Sequence, residues 1–509
     1  AATPARTATP APAAAPAATP AATPAVAPAS SPLAASPDAT APEGAPSRPE
    51  GDESGTISAK ASGGPCISTP AVNCAGAPSS CCGGMACYAK HAMWGSCLPL
   101  GSCRPGVHYE EMPWFWTPWS CQPMAPVAPL APVPAPGPTP PPAPGSCGAS
   151  SCYRNTGTCY SLNWKAEGES FFDDFDFVTE DLGNHGPVEY LSKDEAIKEG
   201  IAQTGSEGAF VRVGPRDEKK GKRSSLNLHS KYAWSPADSF ILAMRYHHVP
   251  GGCGVWPAFW TVNTDLPWPE GTELDIFEYA NMMPQASSLH TGANHTCALD
   301  ASEVSKCKFQ KSVNAGKQDW NCATNYYKNW MGCAPNNLER YSAPWINNHP
   351  GVIAAEWTPH FIKVFFIPEA EIPADLLSDA PRPATWDRFI ISYMPWSDAT
   401  CPGAAKIMKP QEIVMDIALC GDFAGQRWDD THQCDVATGL GTWSGCRIDV
   451  WDTEHDCCTK YVMSSGSDAV MKDAYFQVSW LKVFTEQGSP PPSRTSGTHR
   501  RGGRPLGAK

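Results

Sequence analysis

The chain has 509 residues, a formal net charge of −13 and 22 cysteines. The acidic balance argues against nucleic acid as a partner, because a phosphate backbone attracts basic surfaces. No run of about 18 apolar residues is present, so we expect no membrane span. The chain begins with Ala1 and shows no charged-then-apolar leader, which indicates either a removed leader or a fragment.

The cysteines favour an oxidising compartment, since they are abundant and include the adjacent pairs Cys81–Cys82 and Cys457–Cys458. Zinc binding is the alternative, but the spacing around the first pair lacks a matching Cys-x-x-Cys or His-x-x-x-His partner. One glycosylation sequon begins at Asn294 and agrees with secretion. We therefore predict a secreted protein, located outside the cell or in a cell wall.

Composition divides the chain into five segments. Residues 1–64 are mostly Ala, Pro, Thr and Ser, which predicts a disordered tail. Residues 65–122 contain eight cysteines and predict a small disulfide-rich module, because so short a segment cannot bury an ample core. Residues 123–146 form a Pro-rich linker that should stay extended. Residues 147–485 have a globular composition, and residues 486–509 form a basic tail that we expect to be disordered.

The cysteine-rich module carries a further pattern, Cys82-Gly-Gly-Met-Ala-Cys87-Tyr88 followed by Trp94-Gly-Ser-Cys97. This run resembles the end of a family 1 carbohydrate-binding module. The resemblance implies that Tyr88 and Trp94 stack on sugar rings. The alternative is a disulfide module in which these aromatic side chains form a small core.

The globular segment contains short runs rich in aromatic and β-branched residues, separated by Gly, Pro, Asn and Asp. Examples are 240–246, 352–357, 361–367 and 475–484. Long helical periodicity is absent. Many strands with turn signals predict an all-β sandwich or barrel with long loops.

Three carboxylates lie among apolar residues at 271–281, namely Glu273, Asp275 and Glu278. Side chains on a strand alternate between faces, so Glu273 and Asp275 share one face and Glu278 has the wrong parity. A β-bulge with one extra residue would restore Glu278 to that face. Buried carboxylates are costly unless paired. We therefore predict a catalytic cluster here, against the alternative of a solvated edge strand.

Two carboxylates flanking a glycosidic bond are the usual equipment for its hydrolysis. One attacks or stabilises the anomeric carbon, and the other holds a proton for the leaving oxygen. Nearby Trp256, Trp260 and Trp268 offer indole faces for pyranose rings, and His290 offers a polar contact. A core position for Trp256 and a structural hydrogen bond for His290 remain the alternatives.

These motifs follow the order found in glycoside hydrolase family 16, and they most resemble its fungal endo-1,3(4)-β-glucanase, or laminarinase, branch. The matching motifs are Gly254-Val-Trp256-Pro-Ala-Phe-Trp260, Trp268-Pro, Glu273-Leu-Asp275-Ile-Phe-Glu278 and Leu289-His290-Thr291. The extra residue is similar to the laminarinase type rather than the bulge-free lichenase type. Three positions depart from the pattern: Thr272 and Tyr279 replace Gly, and Phe423 replaces Trp. A bulky Tyr279 is expected to narrow a subsite.

The resemblance implies a β-jelly roll and a retaining double displacement. It implies Glu273 as the nucleophile, Glu278 as the acid/base and Asp275 as an assistant to the nucleophile. Retention requires the two carboxyl groups to lie about 5–5.5 Å apart. Trp260, Trp268 and His290 would line the cleft. No cofactor or metal is expected, with a structural calcium ion left open.

The sequence thus predicts a secreted, monomeric endo-β-glucanase acting on β-1,3 or mixed β-1,3/1,4-glucan. One alternative keeps the fold and transfers the glycosyl unit to another sugar, as in a cell-wall transglycosylase. The other alternative is a non-catalytic glucan-binding protein, although such relatives typically lose the acids that are present here.

Overall fold

The structure of the chain is a computed structural model. It describes residues 154–180, 183–306, 311–312, 320–324, 329, 331–336, 346, 349–430 and 434–495, with 74, 77–82, 85–91, 94–99, 103 and 120–124 of the cysteine-rich module. The predicted tail 1–64 and the linker beyond 124 lie outside the described residues. Among the described residues, no helix is long and apolar enough to cross a membrane.

Strands dominate the described residues, and the helices between them are short. The strands are β1 (Met85–His91), β2 (Trp94–Pro99), β3 (Tyr160–Glu167), β4 (Phe175–Phe177), β5 (Val188–Tyr190), β6 (Ala202–Gly205), β7 (Gly208–Arg212), β8 (Arg216–Asp217), β9 (Lys222–Ser225), β10 (Asn227–Trp234), β11 (Phe240–His248), β12 (Val255–Val262), β13 (Glu273–Glu278), β14 (Ala286–His290), β15 (Lys311–Ser312), β16 (Pro335–Asn336), β17 (Gly351–Trp357), β18 (Phe361–Pro368), β19 (Ile390–Pro395), β20 (Gln411–Leu419), β21 (Tyr475–Glu486) and β22 (Ser493–Arg494). The α-helices are α1 (Lys193–Glu199), α2 (Ala301–Lys306), α3 (Ala374–Leu377), α4 (Ala404–Ile407), α5 (Cys434–Thr438), α6 (Cys457–Val462) and α7 (Asp468–Asp473).

Two large antiparallel sheets form the domain. The first sheet has the order β14-β13-β12-β20-β10-β22, with β4 also pairing with β10. The second sheet has the order β19-β18-β17-β11-β21-β7-β6, with β3 also pairing with β21. Side chains from both sheets belong to one hydrophobic core, so the sheets stack face to face. This architecture confirms the prediction of an all-β jelly-roll sandwich.

Alternation along β20 shows how the first sheet divides its two faces. Ile413, Met415 and Ile417 belong to the core. Glu412 and Asp416 therefore point to the opposite face, as the period of two requires. The polar groups of the first sheet are consequently presented on the face that turns away from the core.

The cysteines form disulfides, so the zinc alternative is wrong for the pairs that the structure describes. A sulfur atom in a disulfide is no longer a thiolate and cannot ligate zinc, so no metal is needed to explain the spacing of these cysteines. The pairs are Cys74–Cys87, Cys81–Cys97, Cys103–Cys121, Cys253–Cys434, Cys297–Cys401, Cys322–Cys333, Cys420–Cys458 and Cys446–Cys457. Such cross-links stabilise the fold chiefly by restricting the unfolded chain.

The cysteine-rich module contains a β1–β2 hairpin. Tyr88 is buried there and packs with Ala86, Leu98 and two disulfide-bonded cysteines. A buried ring cannot offer a face to a sugar, so the sugar-stacking role predicted for Tyr88 is corrected to a core role. The side chain of Trp94 lies outside the described residues.

The end of the domain differs from the sequence-based boundary. Strand β21 continues through Glu486, and β22 pairs with β10 through Tyr232–Arg494 and Ala233–Ser493. Strand pairing therefore extends into the segment from 486 that the sequence predicts to be a disordered tail. It can do so because this part of β10 lies at the edge of the sheet, where a further strand can pair with it. Residues 496–509 lie outside the described residues.

Candidate active site

Strand β13 carries the three carboxylates and contains the predicted bulge. Against β14, Asp275 pairs with Ser288 and Glu278 pairs with Ala286, so three steps on β13 oppose two on β14. The register also shifts against β12 between Phe259 and Trp260. This confirms the extra residue inferred from the parity of the acids.

The bulge decides where the side chains of β13 point. Leu274, Ile276 and Phe277 all belong to the core, so two consecutive residues turn inward. Glu273, Asp275 and Glu278 are therefore directed to the outer face of the first sheet. Glu273 and Glu278 are half-buried and Asp275 is buried.

Asp275 is held by a polar network from the neighbouring strand. Ser288 Oγ donates to Asp275 Oδ2 at 2.6 Å, and His290 Nε2 lies 3.0 Å from the same oxygen. His290 Nδ1 lies 3.1 Å from Thr324 Oγ1. Both ring nitrogens of the buried His290 are thus engaged by protein atoms. This favours the structural hydrogen bond over the predicted substrate contact for His290.

Glu278 is positioned by an indole. Trp256 Nε1 donates to Glu278 Oε1 at 2.7 Å. Trp256 is buried, packing with Ala418 and Ala424, and its ring meets Phe423 edge-on at 5.6 Å. The substrate-stacking role predicted for Trp256 is therefore corrected: the ring is covered by protein, and the side chain orients the acid instead.

A second carboxylate network lies beside the cluster on β20. Trp260 Nε1 donates to Asp416 Oδ1 at 2.8 Å, and Tyr190 OH lies 3.5 Å from Asp416 Oδ2. Burial raises the pKa of Asp416 to about 7, opposed by the hydrogen bonds from Trp260 and Tyr190 and helped by the nearby charge of Asp275. Trp260 itself is half-buried. Asp416 is thus able to hold a proton near neutral pH within reach of the carboxylate cluster.

Two further predicted positions lie at the side of the cluster. Trp268 is half-buried, and its ring centroid lies 6.0 Å from that of His290. Tyr279 is fully buried in the core beside Phe277, because the bulge turns this part of the chain inward. The expectation that Tyr279 narrows a subsite is therefore wrong.

Backbone geometry explains one departure from the family pattern. Thr272 has a φ of 76°, a left-handed conformation that glycine adopts without strain. A β-branched residue is uncommon there. The family's glycine at this position thus has a physical reason, and the threonine is tolerated immediately before β13.

The same cluster contains three side chains that could ligate a metal ion. Glu273, Asp275 and His290 offer ligand atoms within 4.8 Å of one another. However, both nitrogens of His290 are engaged by hydrogen-bond partners, and Ser288 also donates to Asp275. The donor set is therefore better suited to holding Asp275 in place than to ligating a metal.

Sequence reasoning missed several polar groups of this face. They are Tyr190, His229, Ser288, Glu412 and Asp416. His229 Nδ1 lies 3.2 Å from Glu412 Oε2, so this pair belongs to the same face. The available signal was the pair of acids at 412 and 416, which are four residues apart and so share one face of a strand whose residues 413–415 and 417–419 are all apolar.

Comparison with known proteins agrees with this geometry. A family model described as "XgeA-like, catalytic GH16 domain" matches residues 175–484. The chain therefore belongs to glycoside hydrolase family 16, as the sequence motifs predicted. Glycosidases of this family generally need no cofactor.

Two curated relatives and a solved structure are similar to parts of this chain. A probable glycosidase of Schizosaccharomyces pombe is 32% identical over 268 residues, covering 52% of this chain and 60% of that protein. An endo-1,3(4)-β-glucanase of Arthroderma benhamiae is 29% identical over 338 residues, covering 65% of this chain and 66% of that protein. The crystal structure of an elongating family 16 β-1,3-glucosyltransferase is 27% identical with a TM-score of 0.51, covering 64% of this chain and all of that chain. The matches thus span somewhat less than two thirds of the two curated relatives.

Proposed function

We propose that the domain is an endo-β-glucanase that hydrolyses β-1,3 or mixed β-1,3/1,4-glucan by a retaining double displacement. The observation that carries this proposal is the bulge in β13, since it directs Glu273, Asp275 and Glu278 to one face. The name of the Arthroderma relative supports the substrate class.

In the first step, a Glu273 carboxylate oxygen attacks the anomeric carbon while Glu278 gives its proton to the leaving glycosidic oxygen. A covalent glycosyl–enzyme forms, and the chain beyond the cleaved bond departs with a hydroxyl group. In the second step, Glu278 removes a proton from water, whose oxygen attacks the anomeric carbon and releases Glu273. Glu278 ends protonated and Glu273 ionised, so the cycle is complete.

The surrounding groups support this division of roles. The hydrogen bond from Trp256 fixes the direction of Glu278, whose oxygen must reach the glycosidic oxygen. Ser288 and His290 fix Asp275 beside Glu273. The half-buried rings of Trp260 and Trp268 are available to sugar faces. Positioned groups of this kind lower the barrier because no reorganisation is needed at the moment of reaction.

We also propose that the protein acts outside the cell or in a cell wall, as a monomer that requires no metal. The disulfides support an oxidising compartment. Asn294 is exposed, as a glycosylation site must be. The five predicted segments stay proposals, as does carbohydrate binding by the module at 65–122.

The first experiment is activity on laminarin, lichenan, barley glucan, cellulose and pustulan, with the wild type beside Glu273→Gln. We expect cleavage of laminarin and the mixed-linkage glucans by the wild type and at least about a 1,000-fold loss in the variant. Full activity of Glu273→Gln on laminarin contradicts the assignment. Binding of these glucans without turnover by the wild type identifies a recognition protein instead.

A second candidate function is transfer of the glycosyl unit to another sugar. It is favoured by the similarity to the structure titled as an elongating β-1,3-glucosyltransferase. The two functions share the first step and differ only in whether water or a sugar hydroxyl attacks the intermediate. Products made with excess laminari-oligosaccharide separate them: shorter products alone indicate hydrolysis, and products longer than the substrate indicate transfer.

A further inference from the structure

Two tryptophans of the disulfide-rich stretch 434–458 are unusually open to solvent. Trp443 and Trp451 are each 67% exposed. An indole left in water forgoes the stabilisation that burial of its apolar surface would give. The two rings differ in their surroundings, because within the part of the chain that the structure describes only Trp451 packs against a hydrogen-bonded histidine.

The loop that presents Trp451 is cross-linked at its base. Disulfides Cys446–Cys457 and Cys420–Cys458 fasten both of its sides. Inside the loop, Asp452 accepts from Arg447 at 2.8 Å and lies 2.8 Å from His455 Nδ1. The backbone N–H of Trp451 donates to Asp449 Oδ1 at 3.1 Å. The backbone around Trp451 is thus constrained, so little backbone conformational entropy would be lost when the indole binds a ligand.

Trp451 is also supported from behind. Its ring centroid lies 4.1 Å from that of His185, with the rings inclined by 48°. His185 Nδ1 in turn lies 3.0 Å from Asp422 Oδ2, and the N–H of Asp422 donates to the carbonyl of Asn184. One part of the indole therefore rests on a fixed imidazole, while most of its surface stays open.

This support is linked to Glu278 through intervening side chains. Phe423, next to Asp422, packs edge-on against Trp256, and Trp256 donates to Glu278 at 2.7 Å. On the other side of the same support, Asn184 Nδ2 donates to Tyr190 OH at 3.1 Å. Tyr190 reaches Asp416 beside the cluster. Trp451 thus lies at the rim of the catalytic face, several contacts away from the reacting groups.

We propose that Trp451 is a distal binding platform for one sugar ring of a β-glucan chain whose other end occupies the site at Glu273 and Glu278. The proposal rests on the proposed function and adds a position beyond the reacting groups. The C–H face of a pyranose packs on an indole face, and the polar groups of His185 and Asp422 lie beside it. A chain that reaches Trp451 gains this contact, whereas a short oligosaccharide at the catalytic groups does not.

Trp443 offers a matched control. It is exposed to the same extent and lies in a short turn at Thr442–Ser444. Among the described residues it shares no ring contact with the support at His185. Replacing it removes an exposed indole from the same stretch without touching the platform.

The test compares Trp451→Ala, Trp451→Phe and Trp443→Ala on laminarin and on laminaritriose. We expect Trp451→Ala to raise KM for laminarin by about 3- to 10-fold with little change in kcat, because the lost contact binds ground state and transition state alike. Trp451→Phe should lie between it and the wild type. Trp443→Ala should match the wild type, and laminaritriose should not distinguish the proteins.

An unchanged KM for laminarin in Trp451→Ala overturns the platform and leaves the proposed function intact. An equal rise for laminaritriose also overturns it, since that result indicates a disturbed catalytic site. If the wild type does not cleave laminarin, the proposed function fails, and affinity electrophoresis in laminarin gels then tests the platform alone. Weaker retardation of Trp451→Ala than of Trp443→Ala supports it, and equal retardation overturns it.

Discussion

The two large sheets both carry buried acids, but they give those acids different neighbours. On the first sheet, Asp275, Glu278 and Asp416 accept hydrogen bonds from hydroxyl, imidazole and indole groups. On the second sheet, Lys363 of β18 lies 3.9 Å from Glu356 and 3.4 Å from Asp387. The first arrangement orients acids without giving them a lysine or arginine through these bonds, and the second places an ammonium group beside them.

Other acids at the second sheet follow the same rule. Lys482 of β21 donates to Asp379 at 2.6 Å, and Arg245 of β11 pairs with Glu369. A cation beside a carboxylate favours its ionised form, although burial outweighs this effect at Glu356. The acids of the proposed site thus differ from these acids in that hydroxyl, imidazole and indole groups, rather than Lys or Arg, orient them through the bonds described.

The largest effect is expected from the same substitution made on both sheets. Glu278→Gln removes the proton donor and should lower kcat on laminarin by about 100- to 10,000-fold. Glu356→Gln should leave kcat within about two-fold, because its contacts are to Tyr160 and Lys363 in the other sheet. Hydrolysis rates on laminarin measure both.

An activated aryl β-glucoside of a laminari-oligosaccharide sharpens this test. Its leaving group departs without a proton, so the first step in Glu278→Gln should be nearly as fast as in the wild type. An equally large loss in the initial burst of aryl alcohol, which reports the first step alone, indicates that Glu278 does not act as the acid.

A large effect on stability is expected from Lys363→Met. The ammonium is fully buried among Glu356, Asp387 and Asn155. Removing one partner of a buried ion pair costs about 3–5 kcal/mol, because a charge is left without compensation. Urea unfolding should show that loss while kcat stays near the wild-type value. Unchanged stability contradicts the view that the second sheet uses its cations to hold its acids.

A smaller loss of activity is expected from Trp256→Phe. The change keeps an aromatic ring among Ala418 and Ala424 but removes the N–H that donates to Glu278. A hydrogen bond to a charged group contributes about 1.5–3 kcal/mol, so kcat/KM should fall roughly 10- to 100-fold. Steady-state kinetics on laminarin provide the measurement. Equal loss in Phe423→Leu, which leaves that N–H in place, attributes the effect to packing instead.

The last expected effect is a change in how the free energy of unfolding depends on pH. The pKa values of Asp416 and Glu356 are both raised by burial to about 7. Between about pH 4 and 7 the folded protein keeps these protons while the unfolded chain has released them. The contribution of the two groups to the free energy of unfolding is therefore fully present below about pH 4 and is lost as the pH rises to about 7. Asp416→Asn and Glu356→Gln should each remove a slope of about 1.4 kcal/mol per pH unit. Unfolding curves with an unchanged slope contradict these pKa values.

The bulge was predictable because it follows from counting. Glu278 lies five residues after Glu273, and only an extra residue gives both the same face. The sandwich was predictable for a similar reason, since short β-rich runs between turn residues have few other solutions. Both inferences use local periodicity, which is written directly in the order of residues.

Contacts across strands were not predictable in the same way. Asp416 reaches Trp260 and Tyr190 because β20 and β5 are brought together from distant parts of the chain. Trp256 has the parity of a cleft residue, yet the segment at 421–425 covers it. Tyr88 has the sequence pattern of a sugar-stacking residue, yet its ring is buried against disulfide-bonded cysteines. In each case, the deciding partner lies far away in sequence.

The short strand β22 protects one edge of the first sheet against self-association. Along one edge of β10, β4 pairs with residues 228–230 and β22 pairs with residues 232–233, and Thr495 N donates to Lys231 O. Without β22, this end of β10 would show unpaired N–H and C=O groups, which invite edge-to-edge association. Truncating the chain after residue 485, the boundary predicted from the sequence, would therefore expose a sheet edge through which two molecules can associate.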